Sequence, residues 1–138
     1  MIEFKNKKFI LFGLIILSCT LGGCSSDKHI ISASTIFTPQ IKHAMSEIIY
    51  YANDDRVKLK DKEDMDKLYN LLSSLSLTEA SINEAKLDGG INMEIVTDES
   101  TLKFHITSKI ISINSVTYFY DNKDVMSDIT EIYEPYLK

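Results

Sequence analysis

An α+β domain built on an antiparallel β-sheet is predicted by three features of this chain. Segments with one apolar and one polar face follow one another between residues 91 and 120. Two amphipathic helical stripes flank that run, and short turn-forming stretches separate the pieces. The expected order is a hairpin, a helix, a four-stranded meander and a second helix, with both apolar helix faces laid on one face of the sheet.

The hairpin comes first. Glu47-Ile48-Ile49-Tyr50-Tyr51 is β-branched and aromatic, which favours a strand. Ile41, Met45, Ile48, Ile49 and Ala52 also fall at helical spacing, so the local pattern is ambiguous. The turn chemistry of Asn53-Asp54-Asp55 and the renewed alternation from Val57 to Lys60 decide for two strands. Asp61 then caps a helix from about Lys62 to Leu72. Met65, Leu68, Tyr69, Leu71, Leu72 and Leu75 form its apolar stripe.

Leu75 to Leu87 carries no clear period, although Leu75-Ser76-Leu77 can be a short extended piece, and Asp88-Gly89-Gly90 reads as a turn. Ile91, Met93 and Ile95 alternate with Asn92 and Glu94. After a turn at Thr97 to Ser100, Leu102, Phe104 and Ile106 alternate with Lys103, His105 and Thr107. Ile110 to Ile113 and Val116 to Tyr120 complete the meander around a tight turn at Asn114-Ser115. Val125, Met126, Ile129, Ile132, Tyr133, Tyr136 and Leu137 line one face of the last helix. Pro135 cannot donate back to Glu131, so the regular helix ends near Glu134. The order is similar to one repeat of the TATA-box-binding-protein-like fold, a topological analogy without functional content.

The chain begins differently. Lys5, Lys7 and Lys8 precede an apolar run from Phe9 to Leu21, which closes on Leu21-Gly22-Gly23-Cys24. A basic start, a short apolar stretch and small residues before a break describe a secretion signal. The run is well short of the roughly 20 residues that span a bilayer. Its last four residues resemble the bacterial lipobox. That resemblance implies cleavage after residue 23 and a diacylglycerol on the Cys24 thiol, with Cys19 discarded inside the signal. The expected organisation is a signal over 1–23, a lipidated Cys24 and tether over 24–42, and one domain over 43–138. Two acyl chains anchor stably where one is marginal, so the expected address is the extracytoplasmic face of the cell membrane. No thiol then remains for a disulfide or a cysteine metal site.

Charge excludes some classes. The chain carries −5. The segment before Cys24 holds three lysines and Glu3, +2 in all, which leaves −7 for the remainder, with Arg56 its only arginine. Nucleic-acid binders present a basic face, so no nucleic-acid partner is expected. An acidic domain also gains nothing from an anionic membrane surface or a polyanionic wall polymer. The abundance of Ile, Lys, Asn and Tyr fits an AT-rich genome.

Val57-Lys58-Leu59-Lys60-Asp61-Lys62-Glu63-Asp64 leading into Leu68-Tyr69-Asn70-Leu71-Leu72, and Ile111-Ser112-Ile113-Asn114-Ser115-Val116-Thr117-Tyr118, carry a second resemblance. Over roughly Ser46 to Tyr136 the chain resembles small lipoproteins of clostridia and bacilli classed as domains of unknown function. It also looks distantly like extracellular domains appended to membrane peptidases of the β-lactam-sensor type. The matching residues are fold-forming, so the resemblance implies a fold and no catalytic residue.

Candidate chemistry is sparse. Asp54, Asp55, Asp61, Glu63, Asp64 and Asp66 offer oxygen ligands of the kind Ca²⁺ takes. They lack the EF-hand spacing and alternate with Lys58, Lys60 and Lys62, and acids in a first helical turn are explained by the helix dipole. Of His29, His43 and His105, only His105 falls on a strand of the domain, on its polar face, where Glu94 is a candidate partner. No Gly-x-Ser-x-Gly or Ser-x-x-Lys arrangement with supporting context occurs, and Gly89-Gly90 is too little for a phosphate loop. Tyr118 and Tyr120 either offer an aromatic contact surface or pack under a helix. The expected role is therefore a non-catalytic binding or sensing module for a protein or small ligand. It would use the open sheet face or its rim, with Tyr118, Tyr120, Lys103 and His105. No metal and no cofactor are expected. The alternatives are a small cell-envelope hydrolase, which needs a cleft holding perturbed titratable groups, and an inhibitor or immunity-type protein aimed at a basic target.

Overall fold

A computed structural model describes residues 28–81 and 89–137. The expected signal, Cys24 and Asp88 lie outside the described residues. The elements are β1 (Ile30–Ser32), a 3₁₀ turn (Ala33–Thr35), α1 (Pro39–Ala44), β2 (Met45–Ala52) and β3 (Asp55–Leu59). They continue with α2 (Lys62–Ser73), β4 (Ser76–Glu79), β5 (Ile91–Thr97) and β6 (Thr101–Ile106). The last are β7 (Ile110–Ile113), β8 (Val116–Tyr120), α3 (Val125–Tyr133) and a 3₁₀ turn (Glu134–Tyr136).

The architecture is α+β. All strands join one open antiparallel sheet in the order β1-β4-β8-β7-β6-β5-β2-β3. It has eight strands where the sequence reading expects six. The additions are β4, from the segment without a clear period, and β1, from the expected tether.

Residues 30–42 correct the expected tether boundary. Ala33 and Phe37 are fully buried in the core. The Phe37 ring meets Tyr69 and Phe104 edge-on at 6.2 and 5.7 Å. The Tyr69 hydroxyl donates to the Thr38 carbonyl. The Ala33 amide donates to Leu75 O at 2.8 Å, and Lys42 Nζ donates to Asn70 Oδ1 at 3.0 Å. A segment this short shows no period of its own. Its place is set by partners far along the chain.

One core lies between the sheet and the helices. Ile48, Tyr50, Met93, Ile95, Phe104, Ile106 and Ile111 meet Leu68, Leu72, Val125, Ile129 and Tyr133 there. Asp61 caps α2 as expected, its carboxylate accepting from the Glu63 amide at 3.0 Å and the Asp64 amide at 3.2 Å. The β7–β8 turn has positive φ at Asn114 (50°) and Ser115 (68°). Positive φ at both central residues belongs to a tight two-residue hairpin turn. Such a turn fixes register, pairing Ile113 with Val116 and Ile111 with Tyr118.

The ambiguity at residues 45–52 has a structural cause. The register of β2 on β5 shifts between Met45 and Glu47. This bulge reverses the phase of alternation, so Met45 packs against the core while Glu47 reaches the other face to meet Lys58. Ile48 and Ile49 are both fully buried although they point to opposite faces. Ile49 sits in register between Lys58 and Glu94, whose aliphatic stems can cover it. Among the described residues, no helix is long and apolar enough to cross a membrane.

Candidate functional site

The face of the sheet away from the helices is open. Its register places Asn92 opposite His105 and His105 opposite Ser112, with Glu94 opposite Lys103 one step along the same strands. Tyr51, Asn92, Glu94, Lys103, His105 and Ser112 line a shallow depression of about 400 Å³ on this face, closed at one end by Asn114 and Ser115.

Side chains in the depression are largely satisfied by one another. His105 Nδ1 lies 2.8 Å from Asn92 Oδ1. An amide oxygen can only accept, so the contact assigns the proton to Nδ1. Lys103 Nζ pairs with the mostly covered Glu94 carboxylate at 3.2 Å. The expected pairing of His105 with Glu94 is thus replaced by two parallel pairs, because directly opposed residues are closer than diagonal ones. Thr117 donates to Ser112 Oγ at 3.4 Å.

Asn92, His105 and Ser112 form a row of the residue types that orient a base, act as one and supply a nucleophile. The geometry joins Asn92 to His105 and leaves Ser112 outside that bond. His105 Nε2 is buried without a hydrogen-bond partner among the described residues. A Cβ built on Gly90 would stand 2.9 Å from that nitrogen, so the glycine backbone packs directly on it. General-base chemistry needs the base within hydrogen-bond reach of its nucleophile, and this nitrogen faces Gly90 instead.

The proposed surface of Tyr118, Tyr120, Lys103 and His105 is divided by the sheet. Lys103 and His105 face the open side. Tyr118 and Tyr120 face the helices, since Tyr118 opposes the core residue Ile111 and Tyr120 opposes Leu77. The Tyr120 hydroxyl donates to the Thr107 carbonyl, and burial raises its pKa. Both tyrosines are therefore core-face residues, and Tyr51 is the aromatic side chain of the depression. Sequence reasoning missed Tyr51, Asn92 and Ser112. The signal that finds them is register, which needs strand pairing as well as alternation.

The acidic stretch does not converge. Asp61 caps α2, and Glu63 and Asp64 pair with Lys67 at 3.0 and 3.6 Å. Asp64 also accepts from the Tyr136 hydroxyl at 2.6 Å. Among the described residues, no group of three His, Cys, Asp or Glu side chains is placed to hold a metal ion. Phe119 and Ile110 extend the open face toward β1, where Lys28 Nζ stands 5.7 Å from the Phe119 ring centre and Ile30 is 67% exposed. No family model, curated protein or solved structure matches this chain.

Proposed function

We propose that this protein is a lipoprotein anchored through Cys24 to the extracytoplasmic face of the cell membrane. It acts as a non-catalytic binding module whose contact surface is the open sheet face. The observation that carries the reading is the depression around Asn92, Lys103 and His105. It is shallow and lined by hydrogen-bonding side chains, and among the described residues its histidine makes no hydrogen bond to a nucleophile. Sites that bind without chemistry need complementary polar groups on a rigid support, and adjacent strands provide one. The Leu21-Gly22-Gly23-Cys24 sequence supports the anchor. The resemblance to clostridial and bacillar lipoproteins and the TATA-box-binding-protein-like arrangement of a hairpin, a meander and two helices belong to the same reading.

Two measurements test it. Mass spectrometry of the native protein should find Cys24 at the N-terminus carrying diacylglycerol, and an intact Met1 or free thiol would remove the anchor. Replacing Tyr51, Asn92 and Lys103 together by alanine should abolish complementation of a deletion strain while the melting temperature holds. Ser112→Ala alone should complement fully. Its failure would point to nucleophilic chemistry and sink the binding reading.

A further inference from the structure

One row of side chains crosses the open face. Tyr51 opposes Asn92, Asn92 opposes His105, and His105 opposes Ser112, so β2, β5, β6 and β7 each contribute one member. Neighbouring strands lie about 4.8 Å apart, so the row extends for roughly 14 Å. It lies inside the sheet, flanked by β3 and β8, where no backbone ladder is open to an added peptide strand. The row holds no carboxylate, lysine or arginine. The charges that line the depression are Glu94 and Lys103, which pair with each other and sum to zero. Arg56 opposes Tyr51 on the edge strand, outside the depression.

The hydrogen-bonding groups of this strip are held in place without being used up. His105 donates from Nδ1 to Asn92 Oδ1. Asn92 is exposed, and its amide nitrogen keeps two donors for a ligand. The Tyr51 hydroxyl and the side chains of Asn114 and Ser115 make no hydrogen bond within the described residues. The Tyr51 ring is half-buried and so offers part of its surface to the depression. Phe104, the other aromatic residue there, belongs to the core on the helix side.

From this arrangement we propose that the ligand of the open face is a neutral oligosaccharide lying across the strands. The inference rests on the binding reading above and names its ligand class. A pyranose ring carries hydroxyls around its rim and C–H bonds on its faces. The rim hydroxyls match the free amide and hydroxyl groups of the strip. The polarised C–H bonds suit the negative face of the Tyr51 ring. A chain of linked rings repeats its hydroxyls at about the spacing of the strands, so successive rings meet successive side chains. A charged polymer gains little here, because Lys103 and Glu94 already neutralise each other. A peptide with an apolar anchor finds no closed pocket to fill, since the depression is shallow.

Titration of the isotope-labelled full chain in detergent micelles, followed by amide resonances, tests the ligand class. The probes are the neutral tetramer of β-linked N-acetylglucosamine, its deacetylated cationic counterpart and an anionic tetramer of β-linked mannuronate. The neutral tetramer should give saturable shifts at Asn92, His105 and Asn114. Tyr51→Ala should weaken its binding about tenfold, the worth of one stacked ring. Tyr51→Phe keeps the ring and should stay within about threefold, the worth of one exposed hydrogen bond. Absence of saturable shifts with the neutral tetramer would overturn the proposal. So would tighter binding of either charged tetramer, or shifts confined to α2 and α3. Complementation by the Tyr51, Asn92 and Lys103 triple variant separates the two readings. If it fails while no sugar binds, the face serves another ligand and only the saccharide is wrong. If it succeeds, the binding reading itself falls.

Discussion

Tyr120 and His105 sit on one sheet, yet they live in different solvents. Tyr120 faces the helices, and its hydroxyl is tied to a carbonyl. His105 faces the open side and pairs with a neighbour on the next strand. On the helix face, apolar contacts and enclosed hydrogen bonds set stability. On the open face, lysines and carboxylates neutralise one another in pairs that contribute little energy and leave a pattern of charge. The contrast separates residues that hold the fold from residues available to meet something else.

The strongest test of that contrast compares Leu68→Ala with Ser112→Ala. Leu68 is fully buried under the sheet. Its truncation should cost about 2–5 kcal/mol. Ser112→Ala should stay within about 0.5 kcal/mol. Urea denaturation measures both, and comparable losses would show that the open face is part of the core.

Two adjacent glycines give the next effect. Gly90 has φ 92°, and a Cβ there would stand 2.4 Å from the Ile106 carbonyl oxygen. Gly89 has φ 76° with nothing within 4 Å. Gly90→Ala should cost about 3 kcal/mol, strain and contact together. Gly89→Ala should cost about 1 kcal/mol. Equal thermal shifts for the two variants would mean that the approach of Gly90 to His105 and Ile106 is not a real constraint.

Tyrosine hydroxyls sharpen the comparison within the core itself. Tyr120→Phe removes a buried bond to the Thr107 carbonyl. The loss should destabilise by about 1 kcal/mol. The Tyr133 hydroxyl is buried with no hydrogen-bond partner among the described residues, and burial together with Tyr50 and Tyr136 raises its pKa. Tyr133→Phe should therefore be neutral or stabilising by up to about 1 kcal/mol. A loss at Tyr133 equal to that at Tyr120 would imply an acceptor for its hydroxyl.

The smallest effect is at alkaline pH. Tyr136 donates to Asp64, which pushes its pKa up to about 12. The folded pKa lies above the unfolded value near 10, so this contribution is complete below about pH 10. It is lost as pH rises through the folded value near 12. Burial also delays Tyr69, Tyr120 and Tyr133. In tyrosinate absorbance, Asp64→Asn should therefore move one late-titrating residue earlier and leave the others in place.

Much of the helix and strand order was legible because alternation and capping are local. Asp61, the Ile91–Ile95 pattern and the Asn114-Ser115 turn each state their structure within a few residues. That turn also carries a longer-range consequence, for it opposes Tyr118 to Ile111 and so sends both strand tyrosines to the helix side. A surface of Tyr118, Tyr120, Lys103 and His105 mixes two faces, because alternation within each strand leaves open which face a strand shares with its neighbours until register is fixed. Phe37 and Ala33 look like tether in the sequence because short segments hold no period, and Ile49 blurs the strand because it is buried on the face where Lys58 and Glu94 flank it.

By itself, the order of residues determined the apolar run ahead of Cys24, the cap of α2, the alternating strands and the overall acidity. Those depend on neighbours in the chain. Only the tertiary structure decided that residues 30–42 join the fold, that Asn92, His105 and Ser112 stand in a row, and that Tyr118 and Tyr120 turn to the helices while Lys103 and His105 turn away. Each is a matter of strand pairing between distant segments, and pairing is set by the shared core rather than by any one stretch of sequence.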